Sequence, residues 1–343
     1  MKDFFSKEQI GRFLDLISTA NELVILSHTN PDGDAVGSVV AMKRFLSQIG
    51  KRATVIIPNR HPDYLSFLDP NGEIFVYKEN RKRAKKIIAS CDLILALDFN
   101  QLSRIDELEQ IVRESSSRKV LIDHHPSPER EPFDLVFSET EISSNCELLY
   151  WLFSSFNDGG ISLEVAEPLY VGMMTDTNNF ANSVLASTFR MASDLIDAGV
   201  DKEKLQHLVF GGFSELRMRL MGYLVSEKMT ILPDLGAGYI MLSKRDQEMF
   251  AFAEGDSEGF VNIPLSIKGV DISALFTEAD GVVRVSLRSA NDFSVNRMAR
   301  RFFNGGGHER ASGGKLFIPF DQVAGYFVDS LRICIEEYRN EKV

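Results

Sequence analysis

The chain has 343 residues, 44% of them apolar and 25% charged, the composition of a folded globular protein and not of an extended disordered one. At that length two compact units with separate cores are expected. Thirty-eight Lys and Arg against 49 Asp and Glu leave a formal charge of −11, which argues against holding a long duplex, because that needs an extended basic footprint; small anions stay compatible.

In chain order, MKDFFSKEQIGRFLDLI is amphipathic and lacks an apolar signal core, and no run reaches the roughly 18 apolar residues of a membrane span, so a cytoplasmic protein is expected. ELVILSH reads as a buried strand. DAVGSVVAMKRFLSQIG follows as a helix, with Ala35, Val39, Met42 and Leu46 on one face and Gly50 as its stop. ATVIIP, EIFVYK, DLILALDF and KVLIDHH continue as strands of a parallel sheet, separated by helical NRKRAKKIIASC and RIDELEQIVRESSSRK. SNCELLYWLFSSF is a helix that places Trp151 and Phe153 in the core. EVAEPLYVGMMTDT leads to a fourth apolar run closed by an acid, and STFRMASDLIDAG is an amphipathic helix stopped by Gly199.

This alternation predicts an α/β fold, with a parallel-sheet domain over residues 1–200 carrying helices on both faces. Residues 201–228, mostly helical and free of strand-end acids, read as a helical linker. Beyond it LGAGYIMLS, VNIPLSI, DISALFTEADGVVRVSLRS and GGKLFIPF supply strands. With the helices SVNRMARRF and QVAGYFVDSLRICIEEYRNE they form a smaller α+β domain over 229–343. Cys91, Cys146 and Cys334 are scattered without C-x-x-C spacing and read as buried free thiols.

The four apolar runs that end in acid or imidazole put His28, Asp32, Asp34, Asp98, Asp123, His124, His125 and Asp176 at comparable strand ends. In an open α/β sheet the carboxyl ends of neighbouring strands border one crevice, so these residues can converge. Pro31 and Gly33 force a tight loop that turns Asp32 and Asp34 toward one cavity, although P-D-G-D alone fits an exposed turn as well. Asp98 ends a fully apolar strand, where a bare carboxylate is expensive without a partner or a cation. Four of the six histidines, among them the adjacent pair His124 and His125, fall within the motifs singled out here.

Mainly carboxylate donors with two imidazoles form a hard to borderline set suited to Mn²⁺. His28, Asp32, Asp34, Asp98, His124 and Asp176 are too many ligands for one ion that must keep positions open. They suit two ions about 4 Å apart bridged by one carboxylate, for which Asp98 is the candidate. In the second domain Gly305, Gly306 and Gly307 precede His308. A glycine run alone fits a flexible turn, but with the basic VSLRS and NRMARRF upstream its backbone amides, Arg288 and His308 suit an anion.

Taken together, His28-Thr-Asn-Pro-Asp-Gly-Asp-Ala, Asp98, Asp123-His124-His125, Asp176 and Gly305-Gly-Gly-His308 resemble the motif set of the DHH phosphoesterase superfamily. The resemblance is to the subgroup with a DHH-associated C-terminal domain, of the nanoRNase and pAp-phosphatase type. It implies manganese held by His28, Asp32 and Asp98 at one position and by Asp34, Asp98, His124 and Asp176 at the other, with Mg²⁺ or Co²⁺ as substitutes. It further implies that His125 faces the scissile phosphate, that Asp123 supports the metal shell, and that Arg288 and His308 grip substrate. The implied activity is hydrolysis, by water activated between the metals, of short single-stranded oligonucleotides of two to five residues and of 3′-phosphoadenosine 5′-phosphate (pAp). Cyclic dinucleotides, pyrophosphate or polyphosphate are the alternative substrates within the superfamily, and an inactive nucleotide-binding regulator is the alternative outside enzymes. Neither a long duplex nor a membrane is an expected partner; a homodimer is compatible. One departure stands out: many relatives carry Phe-Arg shortly after the fourth motif, whereas this chain reads Thr177-Asn178-Asn179-Phe180-Ala181-Asn182, leaving Asn179 or Asn182 to offer neutral hydrogen bonds in place of a cation.

Overall fold

The computed structural model describes residues 4–155, 160–211, 213–253 and 255–341. Residues 1–3 of the N-terminal segment, Phe156 at the end of the helix expected over SNCELLYWLFSSF, Gly212 in the expected linker and residues 342–343 lie outside them. The chain divides into two compact units, Met1–Gly212 and Phe213–Val343.

The first unit runs α1 (Lys7–Thr19), β1 (Glu22–Leu26), α2 (Gly33–Gln48), β2 (Arg52–Ile57), β3 (Phe75–Val76), α3 (Arg81–Ser90), β4 (Leu93–Leu97), α4 (Leu108–Glu114), β5 (Arg118–Asp123), β6 (Leu135–Ser138), α5 (Asn145–Ser154), α6 (Leu163–Asp176), α7 (Ala186–Asp197) and α8 (Lys202–Phe210). Its sheet has the order β3-β2-β1-β4-β5-β6 and is parallel throughout. Strand side chains alternate between two cores. Leu23, Ile25, Leu93, Leu95, Val120 and Ile122 pack with α1, α2 and α5–α8, whereas Val24, Leu26, Ile94, Ala96 and Leu121 pack with α3 and α4. Burial on both faces is why the central stretches of these strands are apolar on both sides, and why polar side chains of this sheet gather at its ends.

Several elements differ from expectation. The run VGMMTDT is the last two turns of α6 and not a strand, so Asp176 ends a helix. This helix is buried on nearly every side, from Val165 to Met174, and a helix with no polar face has the same apolar run as a buried strand. VNIPLSI is a 3-10 helix, Phe260–Ser266, whose interior Pro264 lacks the N–H that a ladder position needs. EIFVYK contributes only the two-residue edge strand β3, and the short edge strand β6 carries too few residues for a periodic signal. Cys334 is half-buried, whereas Cys91 and Cys146 are buried, and all three are free thiols.

The second unit comprises α9 (Glu215–Tyr223), β7 (Met229–Leu232), β8 (Ala237–Leu242), α10 (Lys244–Met249), β9 (Ile272–Ala279), β10 (Val282–Ser289), α11 (Val295–Phe302), β11 (Gly306–Gly307), β12 (Ala311–Leu316) and α12 (Val323–Glu341). Its mixed sheet has the order β11-β12-β10-β9-β8-β7, with β8 and β9 parallel and the other pairs antiparallel. The segment expected as a linker, 201–228, is divided between the units. Leu205 and Val209 of α8 are buried in the first core, and Leu220 of α9 in the second, because each helix carries an apolar side of its own.

The glycine run before His308 meets a backbone constraint. A Cβ on Gly305 would stand 1.9 Å from the Gly313 carbonyl oxygen, and one on Gly307, whose φ is +146°, 2.6 Å from the Ala311 carbonyl oxygen. At Gly306 the nearest atom would be 3.6 Å away, an ordinary contact. Gly305→Ala is therefore expected to lower stability by about 2 kcal/mol or more, as overpacking against backbone does. Gly306→Ala should stay within about 0.5 kcal/mol, as for a substitution that meets no obstruction; urea unfolding of the two variants measures the difference.

Candidate metal centre

β1, β4 and β5 are neighbours at the middle of the sheet, where the strand order reverses, and crevices at such switch points are the usual ligand sites of open α/β sheets. His28 lies two residues beyond β1, Asp98 directly follows β4, and Asp123, His124 and His125 close β5. Asp98 holds a positive φ of 63°, a conformation to which Asp and Asn are better suited than most residues, while its N–H still donates to the Ile122 carbonyl at 3.1 Å. Asp32 caps α2, accepting from the amides of Asp34 and Ala35 at 3.1 Å each, and so puts Asp34 in the first turn of that helix. The loop expected at Pro31–Gly33 is therefore shorter than the sequence suggests.

Asp176 reaches the same place from the end of α6, because α6 lies close against α2 and α5. A Cβ on Gly172 would stand 2.2 Å from Cys146 Sγ and 2.7 Å from Asp34 Oδ1, so only glycine permits this approach.

Donor atoms of His28, Asp32 and Asp98 lie within 4.8 Å of one another, and so do those of Asp34, His124 and Asp176. His124 Nε2 links the two groups, at 3.4 Å from Asp98 Oδ1 and 3.6 Å from both Asp34 Oδ2 and Asp176 Oδ2. His28 Nδ1 donates to the Thr29 carbonyl at 2.9 Å, which leaves Nε2 as a basic nitrogen 3.5 Å from Asp98 Oδ2. His125 is oriented by Asp123: its Nδ1 donates to Asp123 Oδ1 at 2.8 Å and its backbone amide to Oδ2 at 3.0 Å, so Nε2 is turned away from Asp123. The six expected metal ligands, with His125 and Asp123 beside them, are brought together.

Two observations fit a cation. Asp98 is 2% exposed and its Oδ1 has no hydrogen-bond donor among the described residues, a costly state unless charge compensates it. The donors are hard carboxylates with borderline imidazoles, a set for Mn²⁺ or Mg²⁺ more than for a structural zinc. Without a metal, protons and imidazoles supply the compensation. Burial, followed by the charges of Asp98 and Asp176, pushes Asp34 well above the usual carboxylate range. Burial raises Asp176 to about 6, against the pull of His124. Burial alone would lower His124, but Asp98, Asp176 and Asp34 outweigh it and raise it to about 10. Burial likewise opposes ionisation of Asp98, yet His124, His28 and His125 hold its carboxyl far below the usual range.

Four residues in this centre escape sequence reading. The amides of Asn145 and Cys146 donate to Asp34 Oδ2 and Oδ1 at 2.6 and 2.9 Å. Beneath them Asn145 Nδ2 donates to Ser38 Oγ at 2.9 Å, and Glu147 is wholly buried. The spacing Ser144-x-x-Glu147 is the sequence signal of a helix start, though nothing in it says what the helix would cap.

The candidate substrate residues are placed as follows. Asn179 lies in a left-handed turn after α6, where Asn178, Asn179 and Phe180 all have positive φ and the Asn179 amide donates to the Met174 carbonyl at 2.8 Å. In the second unit Arg288 stands on β10 opposite Ala311 of β12, and its Nη1 donates to the Leu287 carbonyl at 2.9 Å. His308 follows Gly307 in a tight turn, its amide donating to the Ala311 carbonyl at 2.8 Å.

Residues 22–173 match the model of the DHH family, N-terminal domain, and residues 247–318 that of the DHHA1 domain. The chain is 30% identical over 318 residues to a bifunctional oligoribonuclease and PAP phosphatase, NrnA, of Thermus thermophilus, covering 90% of this chain and 89% of the relative. It is 26% identical over 327 residues to the protein of the same name from Bacillus subtilis, covering 93% and 97%. A crystal structure of an exopolyphosphatase-related protein from Bacteroides fragilis superposes with a TM-score of 0.91 at 40% identity, covering 97% of this chain and 98% of that one.

These charge states would set the pH dependence of a cation's binding here, since ligating His and Asp must be deprotonated. His124, raised to about 10, carries a proton at pH 7 to 8 that a cation displaces, so titration calorimetry in buffers of different ionisation enthalpy should register proton release. Below about pH 6, where Asp176 also takes up a proton, Mn²⁺ affinity should fall further.

Proposed function

The chain belongs to the DHH family, whose curated relatives here bear the names of hydrolytic enzymes, and we propose that it hydrolyses short oligoribonucleotides of two to five residues to mononucleotides and pAp to AMP and phosphate. The observation that carries the chemistry is the pair of donor groups on either side of Asp98, linked through His124. Support for the substrate class comes from the NrnA relatives, matched over nearly their whole length.

In this reading His28, Asp32 and Asp98 hold one divalent cation and Asp34, Asp98, His124 and Asp176 the second, with manganese preferred and Mg²⁺ or Co²⁺ as substitutes. When bound, such a pair supplies Lewis-acid polarisation of the phosphoryl oxygens and lowers the pKa of water. The remaining work belongs to side chains. His125, held by Asp123 through Nδ1, presents Nε2 to a phosphoryl oxygen, where its N–H stabilises developing negative charge. Buried Asp123 keeps the ring in that tautomer, as a carboxylate paired with an imidazole does. Asn179 offers neutral hydrogen bonds close to Asp176.

The first unit is the catalytic domain in this proposal, and the second binds substrate. Arg288 and His308 take a phosphate by charge-assisted hydrogen bonds. Gly305, Gly306 and Gly307 keep the chain narrow enough there for backbone amides to approach it. The charge of −11 and the small second unit favour a few nucleotides over a long strand. Among the described residues no helix is long and apolar enough to cross a membrane, and the proposed location is the cytoplasm.

Assayed with Mn²⁺, the protein is expected to turn over a dinucleotide and pAp faster than a cyclic dinucleotide or polyphosphate; the reverse order would overturn the substrate assignment. Asp98→Ala and His124→Ala should abolish hydrolysis while circular dichroism and the unfolding transition stay close to those of the unaltered protein. Substantial turnover by either would sink the two-metal assignment. Arg288→Ala and His308→Ala should raise KM for dinucleotide while leaving Mn²⁺ affinity unchanged.

A further inference from the structure

An α-helix leaves its first amides without acceptors inside the helix, and at a buried helix end side chains must supply them. At the start of α5 the amide of Glu147 donates to Ser144 Oγ at 3.0 Å, the ordinary arrangement. The amides of Asn145 and Cys146 instead donate to the two oxygens of Asp34, a carboxylate of α2 that also faces His124 Nε2 at 3.6 Å. The cap of one helix is thus a proposed metal ligand from another, and any rotation of the first turn of α5 moves that ligand.

The side chain that ties this turn to its surroundings is Glu147. It is 0% exposed, and a buried carboxylate persists only where donors surround it. Its Oε2 accepts from the Ser143 amide at 3.1 Å, from the Ser143 hydroxyl, and from Thr188 Oγ1 of α7 at 2.8 Å, while Oε1 accepts from Trp151 Nε1 at 3.3 Å. It therefore connects the residue before the cap, the next turn of α5 and the start of α7. On the opposite side Asn145 Nδ2 donates to Ser38 Oγ at 2.9 Å, one turn along α2 from Asp34.

We propose that Glu147 is a positioning residue of the metal centre: through Ser143 and Thr188 it fixes the first turn of α5, whose two amides fix the oxygens of Asp34. The proposal rests on the metal-centre reading above and goes beyond it by assigning a role to a carboxylate that touches neither metal nor substrate. A purely structural Glu147 would affect unfolding without affecting the cation, and that difference is the test.

Mn²⁺ is titrated into metal-free protein well below the unfolding temperature, with free Mn²⁺ followed by electron paramagnetic resonance. Glu147→Gln keeps the shape but replaces one oxygen, all of whose neighbours are donors, with an amide NH₂, and is expected to weaken Mn²⁺ binding by up to about 10-fold, the lower end of what losing a partner bonded directly to a ligand costs, because Glu147 acts through the first turn of α5. Phe153→Leu disturbs the other half of α5, where Phe153 stacks on Phe45 at 4.2 Å between centroids, and should lower the melting temperature with Mn²⁺ affinity unchanged. Thr188→Val, which removes one donor to Glu147, should weaken Mn²⁺ binding, and Thr188→Ser, which keeps the hydroxyl, should not. The Thr188 pair decides the matter if Glu147→Gln fails to fold. Unchanged Mn²⁺ affinity in folded Glu147→Gln or in Thr188→Val, or an equal loss in Phe153→Leu, overturns the proposal. Failure of the unaltered protein to bind Mn²⁺ would overturn the metal-centre reading itself, and this one with it.

Discussion

A carboxylate held at positive φ beyond the end of a fully buried strand, with one oxygen that makes no hydrogen bond among the described residues, has to be compensated by charge, and Asp98 is in that position. The remainder of the first unit can be understood from this need. Three imidazoles, His28, His124 and His125, approach Asp98 from neighbouring strand ends at 3.4 to 3.8 Å, and the same geometry suits a shared ligand between two cations. Because burial, reinforced by neighbouring carboxylates, raises both Asp34 and Asp176, the metal-free centre holds protons to a higher pH than exposed carboxylates would. The centre is accordingly matched to cations.

That match depends on helix packing as much as on the sheet. Asp176 sits at the C-terminus of α6, where the helix dipole opposes negative charge, so the placement is unfavourable until a positive group is near. Asp34 is in the opposite situation, bound by the first two amides of α5. Two carboxylates facing one imidazole are thus held in contrasting ways, one by helix amides and one at a helix end that disfavours it. The close approach of α2, α5 and α6 that allows this is set by Gly172, the site where any side chain would strike Cys146 and Asp34.

In the second unit one stretch of backbone serves two demands. Gly305 and Gly307 are required by their own strand neighbours, whatever the ligand, whereas Gly306 has room for a methyl group. The glycine run is therefore a packing feature first, and its proposed part in phosphate binding depends on the Arg288 and His308 that the same strands carry. A run of this kind cannot be divided between the two roles by composition, because a bare backbone suits both.

Much of the first unit was legible in the chain alone. The β-turn-α rhythm, the four runs closed by acid or imidazole and the adjacent pair His124 and His125 follow from local periodicity and from the rarity of charge at the end of an apolar strand, so the fold class and the set of converging residues could be read before any coordinates. The helical state of VGMMTDT could not, because burial on all sides erases the polar face by which a helix is recognised. Nor could the amide clamp on Asp34 or the Thr188 hydrogen bond to Glu147, which join residues 41 to 112 positions apart. Those contacts are tertiary: which helix end meets which carboxylate is decided by how closely α2, α5, α6 and α7 pack, and that closeness is a property of the assembled core and not of any segment within it.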